Sequence, residues 1–479
     1  MRWWRLPGES CGVVGIRRSG GRVARDLYWS LLSLNHRGQQ SHGFAVLDAG
    51  EISRSVGLGP LPEVPPEIPD GEVGIGHTRY ATSGGSSAEE LLRDAQPVVV
   101  EGRGRRIALA YNGNVANAVE LRRSLEASGA SIATGSDAEL IALELLRGME
   151  TSDLRSAMSR LSTKVDGAYS LVGIIDDGTM FAARDPNGIR PLFAFESDDL
   201  FIAASETVAF DMYGVGPAAS VAPGELVVAS GGGVHHQRYA PPSPERICSF
   251  EYAYFARPDS ILGGRYVYEV RRELGRRLAS RHAEVARRVD SVVPVPETAV
   301  DAAYGFHEVS GKPVETLVFK HRFVRARAFM SGSDERQGLI SRKYNVSRRA
   351  AGRRIALMDD SIVRGDTLRH LISALRSVGA SEVHVFSTFP RISHPCFYGV
   401  DMATYGELIG FNRSPDEVAA SIGADSVNYQ DLDDFLEVVG RSACVACVTG
   451  QYPTEKAASL AAAALRAPGI RGRITEVIG

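Results

Sequence analysis

The sequence predicts an α/β protein built in two successive parts, and three observations carry that prediction. From Cys11 to about Val228, short apolar runs with β character alternate with helical stretches, the pattern of sheets covered by helices. The segment SGGGVHHQRYAPPSPER (230–246) is rich in glycine and proline and lacks periodicity, as a domain boundary does. Beyond it, strand, helix and strand follow at a spacing that implies a βαβ unit and a parallel sheet.

In the first part the strands are expected in GEVGIGHTRYAT (71–82), RRIALAYNGN (105–114), GAYSLVGII (167–175) and GELVVAS (224–230), and the clearest helix in AELIALELLRGM (138–149). In the second, 266–288 reads as one long amphipathic helix, SVVPVP (291–296) as an apolar strand and AVDAAYGFHEVSG (299–311) as a helix. RRIALMDD and SEVHVFSTF then flank the helical TLRHLISALRSVG, and an alanine-rich helix closes the chain from about Glu455. The expected division is 1–10, 11–235 and 236–479, with no internal repeat.

A chain of 479 residues has ample length for two large domains. Net charge is −3, so no global basic excess points to nucleic acid. Basic charge is mostly arginine, lysine standing only at 164, 312, 320, 343 and 456. No apolar run approaches a spanning helix, and MRWWRLPGES is too short and polar for a secretory signal, so a cytoplasmic location is expected. The five cysteines, at 11, 248, 396, 444 and 447, are odd in number and unevenly spread, which fits free thiols better than a disulfide framework. Cys11 stands alone; Cys444 and Cys447 form a CVAC pair able to grip a metal or cluster.

ALMDDSIVRGDT (356–367) reads as an apolar strand ending in two acids, then a small-residue loop, then a helix. Ligands of open parallel sheets sit at the carboxyl ends of strands, where a helix N-terminus offers N–H groups to phosphate. A bare Asp-Asp pair more often only ends a strand, but SIVRGDT attached to it changes that balance. A nucleotide-triphosphatase reading fails, because the Gly311-Lys312 pair is followed by Pro313 and makes no phosphate loop. The stretch resembles the phosphoribosyl pyrophosphate (PRPP) motif of type I phosphoribosyltransferases, and DDSIVRG resembles amidophosphoribosyltransferases in particular. The resemblance implies that Asp359 and Asp360 hold the ribose and its Mg²⁺, with Thr298 beside them. It also implies that Ser361, Ile362, Val363, Arg364, Gly365, Asp366 and Thr367 wrap the 5-phosphate. Two departures stand out. The pyrophosphate-binding VPDS of the family appears as Val295, Pro296, Glu297 and Thr298, and its flexible loop as KHRFVRARAF, with Phe323 where tyrosine is common. Lys320, Arg322 and Arg327 still supply positive charge there.

In the first half, CGVVGI, LNHRGQQSHG, GIGHTRYATSG, YNGN and TGSDAE occur in the order found in class II glutamine amidotransferases, which they resemble. That resemblance implies a four-layer αββα domain with an N-terminal cysteine nucleophile. A terminal cysteine carries its own base: the α-amine, with a pKa of about 7.7 to 8.0, can take the thiol proton. Cys11 becomes terminal only if the chain is cleaved between Ser10 and Cys11. Carried over by motif, Arg79 grips the glutamine carboxylate, Asp137 its ammonium, and Asn112 with the Gly113 N–H the oxyanion, while Arg37 orders the pocket. His36 and His77 lie within these motifs but lack partners at metal-ligand spacing, and Tyr111 stands where histidine or alanine often precedes NGN.

The flanks of the other cysteines, ICSFEYAYFARPDS, SHPCFYGVD and CVACVTGQYPTE, resemble the iron–sulfur subclass of the same family. Cys248, Cys396, Cys444 and Cys447 are then ligands of a 4Fe–4S cluster, although four thiolates could by chemistry alone hold zinc. The whole resemblance implies that glutamine, PRPP and water give phosphoribosylamine, glutamate and pyrophosphate, with ammonia passed through an internal channel. It further implies a homotetramer inhibited by purine nucleotides, with no nucleic-acid or membrane partner. A different class II amidotransferase would share only the first half, and a PRPP-sensing DNA-binding regulator has no use for a glutamine site.

Overall fold

The structure, a computed structural model, describes residues 10–80, 87–102, 104–211, 213–321, 343–466 and 468. Arg322, Phe323, Arg327 and residues 1–9 of the expected propeptide lie outside these.

Two antiparallel sheets form the first part. One has seven strands, in the order Ala219–Ser220, Phe193–Glu196, Leu200–Ala204, Gly12–Arg18, Val73–Arg79, Ser41–Asp48 and Glu51–Leu58. The other has six: Gly233–Arg238, Glu225–Ser230, Met180–Arg184, Gly167–Ile175, Arg105–Val115 and Val98–Gly102. Side chains alternate across a strand, and the alternation decides the layers. Val13, Ile75, Ala108, Ala110, Val172 and Ile174 face one another in a core between the sheets. Their neighbours face outward: Val14 and Ile16 pack under the helix Ala24–Ser33, and Leu109 and Tyr111 under the helix Asp137–Met149. Helix, sheet, sheet and helix are the expected four layers.

The second part is a parallel sheet in the order Ser291–Pro294, Arg354–Asp359, Glu382–Ser387 and Ser426–Tyr429. Helices Val267–Arg281 and Val300–Ser310 lie near one face, and Asp366–Ser377 and Pro415–Ile422 contribute Leu371, Leu375, Val418 and Ile422 to the core on the other. One continuous core joins the two parts, running from Val14 and Leu27 through Phe250 and Phe389 to Phe435, Cys447 and Ala457. Among the described residues no helix is long and apolar enough to cross a membrane.

Two elements differ from expectation. The glycine-rich stretch 230–246 begins as a turn, and Gly233–Arg238 pairs with Glu225–Ser230, carrying the first sheet past residue 235. GVHHQR shows no apolar alternation because it is an edge strand with largely solvent-facing side chains. The single helix expected over 266–288 is broken at His282 (φ −108°, ψ 38°), whose Nε2 lies 2.9 Å from the Tyr429 carbonyl oxygen.

Candidate functional site

Cys11 lies immediately before the central strand Gly12–Arg18, buried beside the end of Val73–Arg79. Its Sγ donates to the Tyr80 carbonyl at 3.3 Å and accepts from the Tyr80 N–H at 3.4 Å. Burial pushes the thiol pKa up, and the Tyr80 backbone bond with the charges of Arg79, Arg37 and Arg190 offsets this only in part. In the uncleaved chain Cys11 is therefore a thiol at neutral pH and needs a base.

Beneath it lies a buried ionic network that local sequence gives no hint of. Arg37 donates from Nε to the Cys11 carbonyl at 3.0 Å, pairs with Glu206, and meets Glu251 at 3.0 and 2.9 Å. Arg190 adds a bond to Glu251 at 3.1 Å, and His36 one to Glu206 at 2.8 Å. Two guanidiniums face two carboxylates, which is how such charges survive burial. Burial opposes the ionisation of Glu206, but His36 and Arg37 hold its carboxyl well below the usual range. Removing one member strands its partners, so Glu251→Ala is expected to cost about 3 to 5 kcal/mol of stability, read by urea denaturation.

Ser10 sits over this network. Its hydroxyl accepts from Arg37 at 3.1 Å and Arg190 at 3.2 Å and donates to Asn112 Oδ1 at 2.9 Å. Asn112 Nδ2 is buried without a hydrogen-bond partner, a donor open to a ligand. Gly113 has φ +151°, and a Cβ there would stand 1.9 Å from the Ala168 carbonyl oxygen, so only glycine fits. Asp137 opens its helix and accepts from the Val115 N–H at 3.1 Å. The Tyr111 phenol has its pKa raised well above normal by burial and then by the charges of Asp137 and Cys11. Arg79 is buried with Nη2 4.0 Å from Asp94. His77 is buried, its pKa pushed down to about 3 by desolvation, and is bonded to the Tyr111 carbonyl, which makes it structural. The structure thus brings Cys11, Arg37, Arg79, Asn112, Gly113 and Asp137 together.

In the second part Asp359 ends its strand and Asp360 follows it, at the carboxyl edge of the parallel sheet. Thr298 Oγ1 donates to Asp360 Oδ2, Ser361 Oγ to Oδ1 at 2.7 Å, and the Asp360 N–H to Asp359 Oδ1 at 3.0 Å. Burial, then Asp360, raises the Asp359 pKa well above normal; that of Asp360 is raised by burial against the opposing bonds from Thr298 and Ser361 and the charge of Arg271. A pair of desolvated, mutually repelling carboxyls suits a cation or ribose hydroxyls. Gly365, with φ +77°, turns the loop into the helix Asp366–Ser377, while Ile362 and Val363 are buried beneath it. Arg364 Nη2 reaches the Asp401 carbonyl at 3.1 Å and Glu407 at 3.2 Å. Lys320 is exposed on a short strand opposite Tyr344, a residue missed from sequence whose pKa is raised by burial and then by Asp359, Asp360 and Glu297.

The other four cysteines come from three segments. Cys248 and Cys444, both free thiols, are backbone neighbours in an isolated parallel β-bridge; the Cys444 N–H donates to the Ile247 carbonyl at 2.9 Å, and the N–H groups of Ser393 and His394 reach the Cys447 carbonyl at 3.1 and 3.0 Å. Burial pushes the Cys248 thiol up to about 12, and the thiol charges of Cys248, Cys396 and Cys444 add to burial in raising Cys447. Among the described residues no three potential ligands form a single-ion group. Arg190 faces this thiol group, with Cys248 and Cys396 among the charges that offset its burial, and its Nη2 has no hydrogen-bond partner. Four converging soft donors beside a buried cation fit an anionic thiolate-bound group.

A glutamine amidotransferase domain model matches residues 85–212. Amidophosphoribosyltransferase of Methanothermobacter thermautotrophicus is 38% identical, the match covering 93% of this chain and 95% of the relative, and that of Synechococcus elongatus 39%, covering 93% and 92%. A solved glutamine PRPP amidotransferase from B. subtilis, complexed with ADP and GMP, is 35% identical with a TM-score of 0.82, covering 93% of this chain and 98% of that one. A second solved structure, described as that of the allosteric regulatory enzyme of purine biosynthesis, is 36% identical with a TM-score of 0.84, covering 93% of this chain and 96% of that one. With both halves matched in one chain at this identity, the protein belongs to the amidophosphoribosyltransferases, the glutamine-dependent enzymes of the first step of purine biosynthesis.

Proposed function

We propose that the two half-reactions are divided between the residues described above, at the glutaminase site and at the acidic pair. The convergence of five motif residues on the Cys11 thiol carries this reading. Cleavage after Ser10 creates the α-amine that takes the Cys11 proton, and it removes the Ser10 hydroxyl from Asn112 Oδ1. Sγ then attacks the glutamine amide carbon, with Arg79 and Asp137 holding the α-carboxylate and α-ammonium. Asn112 Nδ2 and the Gly113 N–H stabilise the oxyanion. The amide nitrogen leaves as ammonia with the proton returned by the α-amine, and water hydrolyses the thioester to glutamate.

At the second site ammonia bonds to the anomeric carbon of PRPP as the bond to pyrophosphate breaks. Asp359 and Asp360 hold the ribose and, with Thr298, the metal side of the substrate. Residues 361–367 offer N–H groups to the 5-phosphate at the start of a helix, while Lys320 supplies charge near the pyrophosphate. Mg²⁺, when bound, neutralises phosphate charge. Cys248, Cys396, Cys444 and Cys447 hold a 4Fe–4S cluster, which ties the segment after the parallel sheet back to residue 248. The sequences flanking these cysteines, which resemble the iron–sulfur subclass, favour the cluster over zinc. No electron moves in either half-reaction, so the cluster is a clamp. A domain division, expected near 236 and moved just past Arg238 by the edge strand, together with a homotetramer, feedback by purine nucleotides and a cytoplasmic setting, completes the reading.

Anaerobically purified protein is expected to begin at Cys11 by intact mass, to contain iron, and to absorb in the visible iron–sulfur region. A chain retaining Ser10 in fully active enzyme would remove the proposed base, and zinc without iron would overturn the cluster.

A further inference from the structure

We infer that the loop 396–401, which begins at one of the four converging cysteines, is a positioning element for the oxyanion strand, and that Gly399 is the residue that lets it act. The inference deepens the reading above and rests on the assignment of Asn112 and Gly113 as oxyanion donors.

The loop meets the strand Arg105–Val115 at two points. Asn114 Nδ2 donates to the Phe397 carbonyl at 3.0 Å. Two residues on, Gly399 approaches the peptide of Gly113 so closely that a Cβ at 399 would lie 3.0 Å from the Gly113 oxygen and 3.2 Å from its carbonyl carbon. The same Cβ would lie 2.8 Å from Arg190 Nη2, and Gly399 has φ +105°, where an L side chain is strained.

Neither neighbour can give way cheaply. Arg190 is fully buried, and its guanidinium is pinned by bonds from Nε to the Tyr398 carbonyl at 2.8 Å and from Nη1 to Glu251 at 3.1 Å. On its other side Gly113 pairs with Tyr169, with the Ala168 carbonyl oxygen 1.9 Å from any added Cβ. Gly113 is therefore clamped between a β-strand and the cysteine loop, which presses on the peptide carbonyl that follows its Cα, while the N–H that precedes the same Cα is the oxyanion donor. An oxyanion donor acts only while its N–H points at the charge that develops, so a shift of a few tenths of an ångström at this residue is felt in the transition state rather than in substrate binding. Within the loop the Cys396 Sγ accepts from the Tyr398 N–H at 3.4 Å, and the Tyr398 hydroxyl, 3.0 Å from Thr454 Oγ1, ties the loop to the segment that follows Cys447.

The test is Gly399→Ala in the full chain, assayed with glutamine and with added ammonia, with iron content measured and Cys11→Ala run in parallel. The expected result is a fall in glutamine-dependent kcat of about 10- to 100-fold, with the KM for glutamine, ammonia-dependent synthesis and iron content each within about threefold of the parent. An unchanged glutamine-dependent kcat, a change confined to KM, or equal loss with both nitrogen donors overturns the inference. If Gly399→Ala yields no folded protein, Asn114→Ala, which deletes only the bond to Phe397, decides. A selective loss of glutamine-dependent kcat of about threefold or more supports the clamp, and no loss overturns it. Glutamine-dependent activity surviving in Cys11→Ala would instead sink the underlying site assignment.

Discussion

Cys11→Ala is expected to lower glutamine-dependent synthesis by on the order of 10⁴-fold or more, the scale seen when a catalytic nucleophile is removed, while leaving synthesis from added ammonia within about twofold. The asymmetry follows from the architecture. The thiol lies at the start of the central strand of one sheet of the four-layer domain, bonded to the Tyr80 backbone, and the acidic pair lies at the carboxyl ends of the strands of a separate parallel sheet. Deleting one sulfur atom leaves the Arg37, Glu206, Glu251 and Arg190 network intact, because that network holds the Cys11 carbonyl and not its side chain. The ammonia assay belongs at alkaline pH, where more of the added nitrogen carries a free lone pair. Intact mass is read on the same sample: if the Ala variant keeps its first ten residues while the parent loses them, the thiol also takes part in cleavage. Equal loss with glutamine and with ammonia would contradict two separable sites.

What the sequence disclosed and what it hid divide along physical lines. Local signals were legible: the apolar β runs at 105–114 and 167–175, the strand-loop-helix run through Asp359 to Thr367, and the motif residues around Cys11. Glu206 and Glu251 were not, since a lone glutamate in ASETV or SFEYA reads as surface, and only the fold brings it to Arg37 across 169 and 214 residues of chain. Arg190, Tyr80 and Gly399 were hidden for the same reason. The strand Gly233–Arg238 was hidden because an exposed edge has no alternation to read, and the break at His282 because its partner, the Tyr429 carbonyl, lies 147 residues away. Four cysteines pointed to a metal-binding group, but the guanidinium facing them could be found only in three dimensions.

Asp359→Asn is expected to cost about 10²- to 10³-fold in synthesis with either nitrogen donor, because both need PRPP held at the same carboxylates. The same substitution is expected to raise the stability of the ligand-free protein at neutral pH. Burial and the neighbouring Asp360 raise the carboxyl of Asp359 in the folded state above its unfolded value. Such a group favours folding most below the unfolded pKa, and that contribution is lost as pH rises through the folded one. At neutral pH the folded chain thus carries an ionisation penalty that the unfolded chain does not, and asparagine removes it. The amide oxygen can still accept the Asp360 N–H that Asp359 Oδ1 now takes at 3.0 Å, so no backbone donor is stranded. Ligand binding runs the other way, since a cation and ribose hydroxyls favour the ionised pair: the KM for PRPP should rise as pH falls through the raised values. Thermal denaturation of the ligand-free protein across pH separates the two effects. A variant less stable than the parent at neutral pH would show that Asp359 is held for the fold, whereas a more stable and inactive one shows a carboxylate kept, at a cost to the fold, for its ligand.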